Sequence, residues 1–223
     1  GEEYGLLGSK AFMGEFKGFD NLLSRINFAI NLEARGTSGT QIMFETSADN
    51  YNTVKLFAEV NENLFTCSTA TMIYDMMPNG TDFSNLKPYY QGVNIANIGE
   101  GENYHTPNDN PENIRESCLS QQAQIVNNLI DKLANYDLDS LYDAKENAIF
   151  FSYLNIGDVV YNHAFSVVLA VIGILLLLSN IIIGIVSKKK NLIKTLKAFL
   201  IIIIGIVLSG GLTFGCYYLF QTI

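Results

Sequence analysis

The 223-residue sequence is poor in histidine and cysteine, and it has no acidic residue anywhere in its last sixty positions. The two histidines are His105 and His163, so an all-imidazole metal site is excluded from this chain alone. The three cysteines, Cys67, Cys118 and Cys216, show no metal-ligand spacing, and Cys216 lies inside an apolar run. Cys67 and Cys118 are read either as a disulfide of an oxidising compartment or as two free thiols. No basic, apolar and small-residue leader pattern opens the chain, which begins with Gly1 rather than Met, and the start is read as a truncation. Internal repeats and low-complexity stretches are also missing from the first part of the chain.

All 22 acidic residues precede position 164, together with nine Lys and Arg, giving that part a formal charge of -13. Residues 164 to 223 carry five lysines and no acid, a charge of +5. Such an acidic part lacks the clustered cations that phosphate neutralisation needs, which excludes nucleic acid as its partner. The tail is a different physical object. From Ala164 to Val186 and again from Ala198 to Phe220 no charged residue appears, and each run is apolar on every face and long enough to cross a bilayer. Between them, residues 187 to 197 include Lys188, Lys189, Lys190, Lys194 and Lys197. Lysine-rich short loops stay cytoplasmic, so both ends of this helical hairpin are expected on the other side, extracytoplasmic or lumenal. Membrane lipid is thus an expected partner, and the absence of charge within the runs argues against a transporter or proton relay.

Before the tail, INFAINLEA, QIMFETS and GVNIANIG are apolar runs of strand length, and NYNTVKLFAEVNENL reads as a helix between them. Continuous apolar strands alternating with helices imply an α/β/α sandwich with a mainly parallel sheet. Asn110, Pro111 and Glu112 form a helix-start signal, predicting a helix that runs on to about Tyr136. Residues 1–136 are therefore assigned to one domain, and the polar stretch from Asp137 opens a linker, residues 137–163, to the first apolar run.

Candidate chemistry sits in separated short segments. Glu2 and Glu3 are adjacent acids at a strand end; Glu33 follows an apolar strand in NLEARG; His105 lies in NYHTPNDNPENI. Taken singly, such acids are more often solvated loop residues, and such a histidine is more often structural than a ligand. Together, GEEYGLLGS, NLEARG with FETS, GTDF and YHTPNDNPENI resemble, in order and spacing, family twenty-eight of the metallopeptidases, over roughly residues 1 to 134. The NLE form is similar to the membrane-spanning branch, which includes the endoplasmic reticulum metallopeptidase and the vacuolar membrane protease. This resemblance implies an incomplete zinc-peptidase fold, two zinc ions in the complete enzyme, and peptide substrates with a free N-terminus. It implies Glu2 as general base, Glu3, Glu33 and His105 as metal ligands, and a structural role for Asp82. Family members bring a His-x-Asp segment and a bridging Asp from upstream of the paired glutamates, so the fragment by itself is expected to be inactive. A glutaminyl cyclase activity and a metal-free, membrane-anchored binding module are the rival readings.

Overall fold

The computed structural model describes residues 4–15, 23–60, 64–153, 157–187 and 191–221. Its contacts divide the chain into two units, Gly1–Ser166 and Val167–Ile223.

The first unit is a sheet covered on both faces. Its strands are β1 (Phe28–Ala34), β2 (Ser38–Thr46), β3 (Phe65–Thr66) and β4 (Gln91–Gly99), in the order β1-β4-β2-β3 among the described residues. β1 with β4 and β2 with β3 are parallel pairs, whereas β2 runs antiparallel to β4. Because side chains alternate along a strand, Val93 and Ile95 of β4 face one layer, and Asn94 and Ala96 face the other. Helices α2 (Tyr51–Val60) and α5 (Glu116–Leu133) supply the first layer. Thr53, Val54 and Phe57 recur at helical spacing on the buried side of α2, as Cys118, Ile125 and Leu129 do on α5. Met43, Phe57, Ile95 and Leu129 meet there in the main core. The opposite layer holds α1 (Leu7–Lys10), α3 (Ser68–Met76) and α4 (Phe83–Leu86). Smaller clusters sit beneath it, one around Phe83 and Ala29, another around Phe44, Tyr74 and Ala96. The expected α/β/α sandwich with a mainly parallel sheet is what forms.

Two expectations need correction. The helix predicted from Asn110 begins instead at Glu116. Asn110 does accept a hydrogen bond from the Asn113 backbone through its side chain. That cap closes a single turn, because Arg115 then adopts an extended backbone and gives its N–H to the Thr37 carbonyl, restarting the helix one residue later. The stretch 137–163 is not a linker. It contains a 3-10 turn (Leu138–Asp143) and an antiparallel hairpin of β5 (Ile149–Tyr153) and β6 (Gly157–Tyr161). Leu141, Ala148 and Phe150 are buried, and the Ala148 N–H donates to Asn50 Oδ1 at 2.7 Å. A few apolar residues set among polar ones are enough to carry the chain across the core, which the polar composition hides.

The second unit is built of α6 (His163–Val186) and α7 (Leu192–Gln221), whose first residues precede the unit boundary in the case of α6. Their apolar stretches, His163–Val186 and Leu192–Leu212, are long and apolar enough to cross a membrane. Lys188, Lys189 and Lys190 lie outside the described residues. Cys67 and Cys118 are free thiols, with Cys118 buried and its Sγ 3.4 Å from the Gly39 carbonyl oxygen.

Candidate functional site

β1 and β4 run side by side in parallel, with Glu33 opposite Ala96 and Ala34 opposite Asn97. Their C-terminal ends therefore share one rim, the place where open α/β sheets gather ligands. The chain leaving β1 must reach β2 across the end of β4, which lies between them. Residues 35–37 make that crossing. A Cβ at Gly36 would run into the Gly99 carbonyl oxygen, and one at Gly39, where φ is +89°, would come within 2.8 Å of the Gly99 backbone nitrogen. Only residues without Cβ permit this passage. Beyond β4, Glu100 takes a left-handed backbone (φ 55°), a 3-10 turn covers Gly101–Asn103, and His105 follows with φ 58°.

The crossing link ties the two strand ends together. Thr37 Oγ1 donates to Glu100 Oε2 at 2.8 Å and accepts from Asn103 Nδ2 at 2.8 Å. Arg115 pairs with Glu100 as well. The Thr37 bond, then that of Arg115, holds the Glu100 carboxyl below its ordinary value. Arg35 completes the connection: its guanidinium lies over the rings of Tyr74, Phe44 and Tyr104 at 5.3, 5.5 and 5.6 Å. Tyr104 in turn stacks on the His105 imidazole, with centroids 3.8 Å apart. A continuous stack thus runs from the β1 end to the His105 loop. The Arg35 Nε is buried without a hydrogen-bond partner among the described residues, while Nη2 donates to the Tyr74 hydroxyl at 3.3 Å.

Behind Glu33 lies a polar network inside the second layer. Asn31 Nδ2 donates to Glu33 Oε1 at 2.7 Å and to Asn94 Oδ1 at 3.0 Å. Asn94, fully buried, donates onward to Glu45 Oε2 and Thr81 Oγ1, both at 2.8 Å. A register shift between Met43 and Glu45 breaks the alternation of β2. As a result Phe44 meets Tyr74 while its neighbour Glu45 reaches Asn94 and Lys87 in the same layer. Glu45 is only 2 % exposed, and Lys87 neutralises it at 2.8 Å. Burial alone would lower the Lys87 ammonium, but the hydrogen bond and charge of Glu45, with Asp75 behind, carry it above its ordinary value. Burial and then the Glu45 charge push the Tyr74 phenol up to about 12, with Glu33 adding to the rise and Arg35 and Lys87 opposing it.

Of the residues singled out from the sequence, Glu33 is half-buried at the rim and His105 is exposed on the loop beside it. Glu2 and Glu3 lie outside the described residues. Asp82 accepts from Ser9 Oγ at 2.7 Å, and Asn85 donates to the same hydroxyl at 2.8 Å, so Asp82 fastens α1, the helix that comes after the paired glutamates in the chain. Glu33 and His105 are donors of the kinds zinc accepts, a carboxylate oxygen and an imidazole nitrogen. Among the described residues no three Asp, Glu, His or Cys side chains converge on one point, so a centre built on these two needs further donors, and Glu3 is one outside that set. Arg35, Asn31, Glu45 and Asn94 were not anticipated. The signal was present, since each is a polar residue within or beside an otherwise apolar strand.

A covered, mainly parallel sheet with a carboxylate and an imidazole-bearing loop at its C-terminal rim defines a protein of the α/β class. Residues 1–130 match peptidase family M28, and the chain belongs to that family. It is 25% identical over 144 residues to endoplasmic reticulum metallopeptidase 1 of Homo sapiens, a match covering 62% of this chain and 16% of that protein. The Mus musculus protein of the same name is 26% identical over 144 residues, again 62% and 16%, and that of Rattus norvegicus 26% over 119 residues, 52% and 13%. The chain therefore spans less than a fifth of the length of these relatives. No solved structure matches it.

Proposed function

We propose that this chain is the rim-bearing part of a zinc-dependent aminopeptidase, anchored in a membrane by α6 and α7 with its peptidase domain on the non-cytoplasmic side. The observation that supports it most is the tie between the segments that carry Glu33 and His105: the Arg35–Tyr104–His105 stack and the Thr37 bonds hold the link after β1 against the loop after β4, at one edge of the sheet. Glu3, Glu33 and His105 hold metal in this reading, two ions being the number the family resemblance implies. Zinc, when bound, lowers the pKa of a water toward neutrality and withdraws charge from a carbonyl oxygen. Glu2 takes the proton of the attacking water and delivers it to the leaving amine. Asn31 holds the Glu33 carboxylate in one orientation, the outer-shell role that metal ligands require.

Substrate side chains have a place beside this rim. A cavity of about 300 Å³, lined among others by Arg35, Phe44, Ala70, Ile73 and Met77, opens where Arg35 and Tyr74 meet the sheet. Its walls are apolar, which supports a preference for peptides with an apolar N-terminal residue. The lysines between the two apolar runs, with Lys194 and Lys197 in the first turns of α7 and not in a loop reaching to residue 197, support a cytoplasmic turn and hence a peptidase domain on the opposite side. The deciding experiment measures zinc content of the full-length protein and release of N-terminal residues from leucyl- and alanyl-chromogenic substrates. Bound zinc with release, faster for leucyl, supports the reading; zinc-free protein with no release ends it.

A further inference from the structure

Near the end of the first unit is a hairpin whose outward face is as apolar as a core. Pairing of β5 with β6 sets Ile149 opposite Tyr161, Phe151 opposite Val159 and Tyr153 opposite Gly157. Because alternate residues point to opposite sides of a strand, these six share one face. The other face turns inward: Phe150 is buried in the main core with Val160 packed against it. Ser152 Oγ binds the Leu64 carbonyl and Asp158 Oδ1 there, so the hairpin's one carboxylate among its described residues is turned away from the outer face. Outward, Phe151 is 37 %, Tyr153 51 % and Val159 39 % exposed. An antiparallel pair with one solvated side places polar residues on that side. Here the outer face has five apolar or aromatic side chains, a glycine and no charge.

The neighbouring helix indicates the cover. Asn162 alone separates β6 from His163, the first residue of the apolar helix α6, and two residue steps reach at most about 7 Å. The Tyr161 ring also meets Phe165, in the first turn of α6, edge-on with centroids 5.7 Å apart. Aromatic residues at the end of a membrane-spanning helix occupy the water–lipid boundary. We propose that the outer face of the β5–β6 hairpin is a lipid-contact surface, seated in the interfacial layer of the bilayer that receives α6. The peptidase domain is then docked on the membrane and not merely tethered to it. This inference rests on the membrane reading of α6, and the test separates the two.

The chain contains no tryptophan, so any introduced indole reports alone. Phe151→Trp and Tyr153→Trp probe the hairpin, Leu176→Trp the middle of α6, and Asn108→Trp the loop beyond β4. The full chain carrying each substitution is reconstituted in phosphatidylcholine nanodiscs, with and without lipid brominated high on the acyl chain or near its end. The proposal expects blue-shifted emission from the Phe151→Trp and Tyr153→Trp proteins, with loss of intensity in lipid brominated high on the chain, and no change for Asn108→Trp. Quenching at position 176 with none at 151 or 153 overturns docking and leaves the membrane span standing. A blue shift at 151 and 153 without quenching means that protein, such as a second copy, covers the face, and also overturns it. Absence of quenching at 176 removes the membrane reading itself and the proposal with it.

Discussion

Replacing Asn31 by leucine tests the link between the sheet interior and the rim. The two side chains share one branching pattern, leucine being the bulkier, so the substitution removes hydrogen bonds while keeping the site filled. Two bonds go: the one to Glu33 Oε1 at 2.7 Å and the one to Asn94 Oδ1 at 3.0 Å. A hydrogen bond to a charged group contributes about 1.5–3 kcal/mol, and an orphaned buried acceptor costs about 1–3 kcal/mol. Glu33 is half-buried and regains some water, which places its share at the lower end, whereas Asn94 is fully buried. Asn94 does not recover by turning its amide, because Nδ2 is committed to Glu45 and Thr81. The expected loss is therefore about 3 kcal/mol in denaturant unfolding. If Glu33 binds zinc, the same variant also loses about 10–100-fold in metal affinity, measured by chelator competition, because its ligand is no longer held. Adding Asn94→Leu should lower the stability further, since the buried Glu45 Oε2 and Thr81 Oγ1 then lose the donor they share, and should restore none of the zinc affinity. An Asn31→Leu protein that unfolds within about 0.5 kcal/mol of the parent, the scatter of ordinary surface changes, and binds zinc equally well would refute both the network and its role at the rim.

Glu2→Gln in the full-length protein should keep its zinc and lose turnover by about 10²–10⁴-fold; wild-type rates would remove the role given to Glu2. Gly36→Ala drives a methyl group into the Gly99 carbonyl, and an expected loss toward the upper end of about 1–3 kcal/mol should appear in thermal unfolding, with unchanged stability excluding the tight crossing. Stability should also fall in alkali. Lys87, Tyr74 and Tyr90 all have raised values in the fold, so their contribution is complete below their unfolded values near about 10 and is lost as pH rises through the folded ones, about 12 for Tyr74. Tyr74→Phe should flatten that slope in urea titrations, and an unaltered slope would show that the phenol is not the group responsible. Glu100 has the opposite sign, its carboxyl being lowered; the tie it makes to Thr37 and Arg115 is lost as pH falls through the folded value, and Glu100→Gln should remove that acid dependence from hydrogen exchange of the 101–105 loop.

The strands were legible wherever a run of apolar residues was long enough to mark a buried position. INFAINLEA, QIMFETS and GVNIANIG became β1, β2 and β4, and the amphipathic spacing of α2 was equally plain. The insertion of β4 between β1 and β2 was not, because pairing between segments dozens of residues apart leaves no local trace. IFFSY and GDVVY are too short, and too close to the polar 137–142 stretch, to declare themselves a hairpin. Glu33 was recognisable as an acid ending an apolar strand, whereas His105 gained meaning from the motif around it. Glu45 and Asn94 carry the interior network from positions where strand periodicity predicts apolar side chains. A polar residue in such a place marks a bond that only the folded chain identifies.

The crossing of residues 35–37 over the end of β4 has a consequence for the order in which this protein assembles. β1 and β2 are joined by three residues, which alone would favour an early pairing with each other, yet β4 must settle between them after more than forty further residues have been made. Loop closure of that kind is entropically costly and slow. The rim cannot exist before this late insertion. The segments that carry Glu33 and His105 therefore share an edge only once β4 is in place, and a chain that closes β1 directly onto β2 lacks that edge.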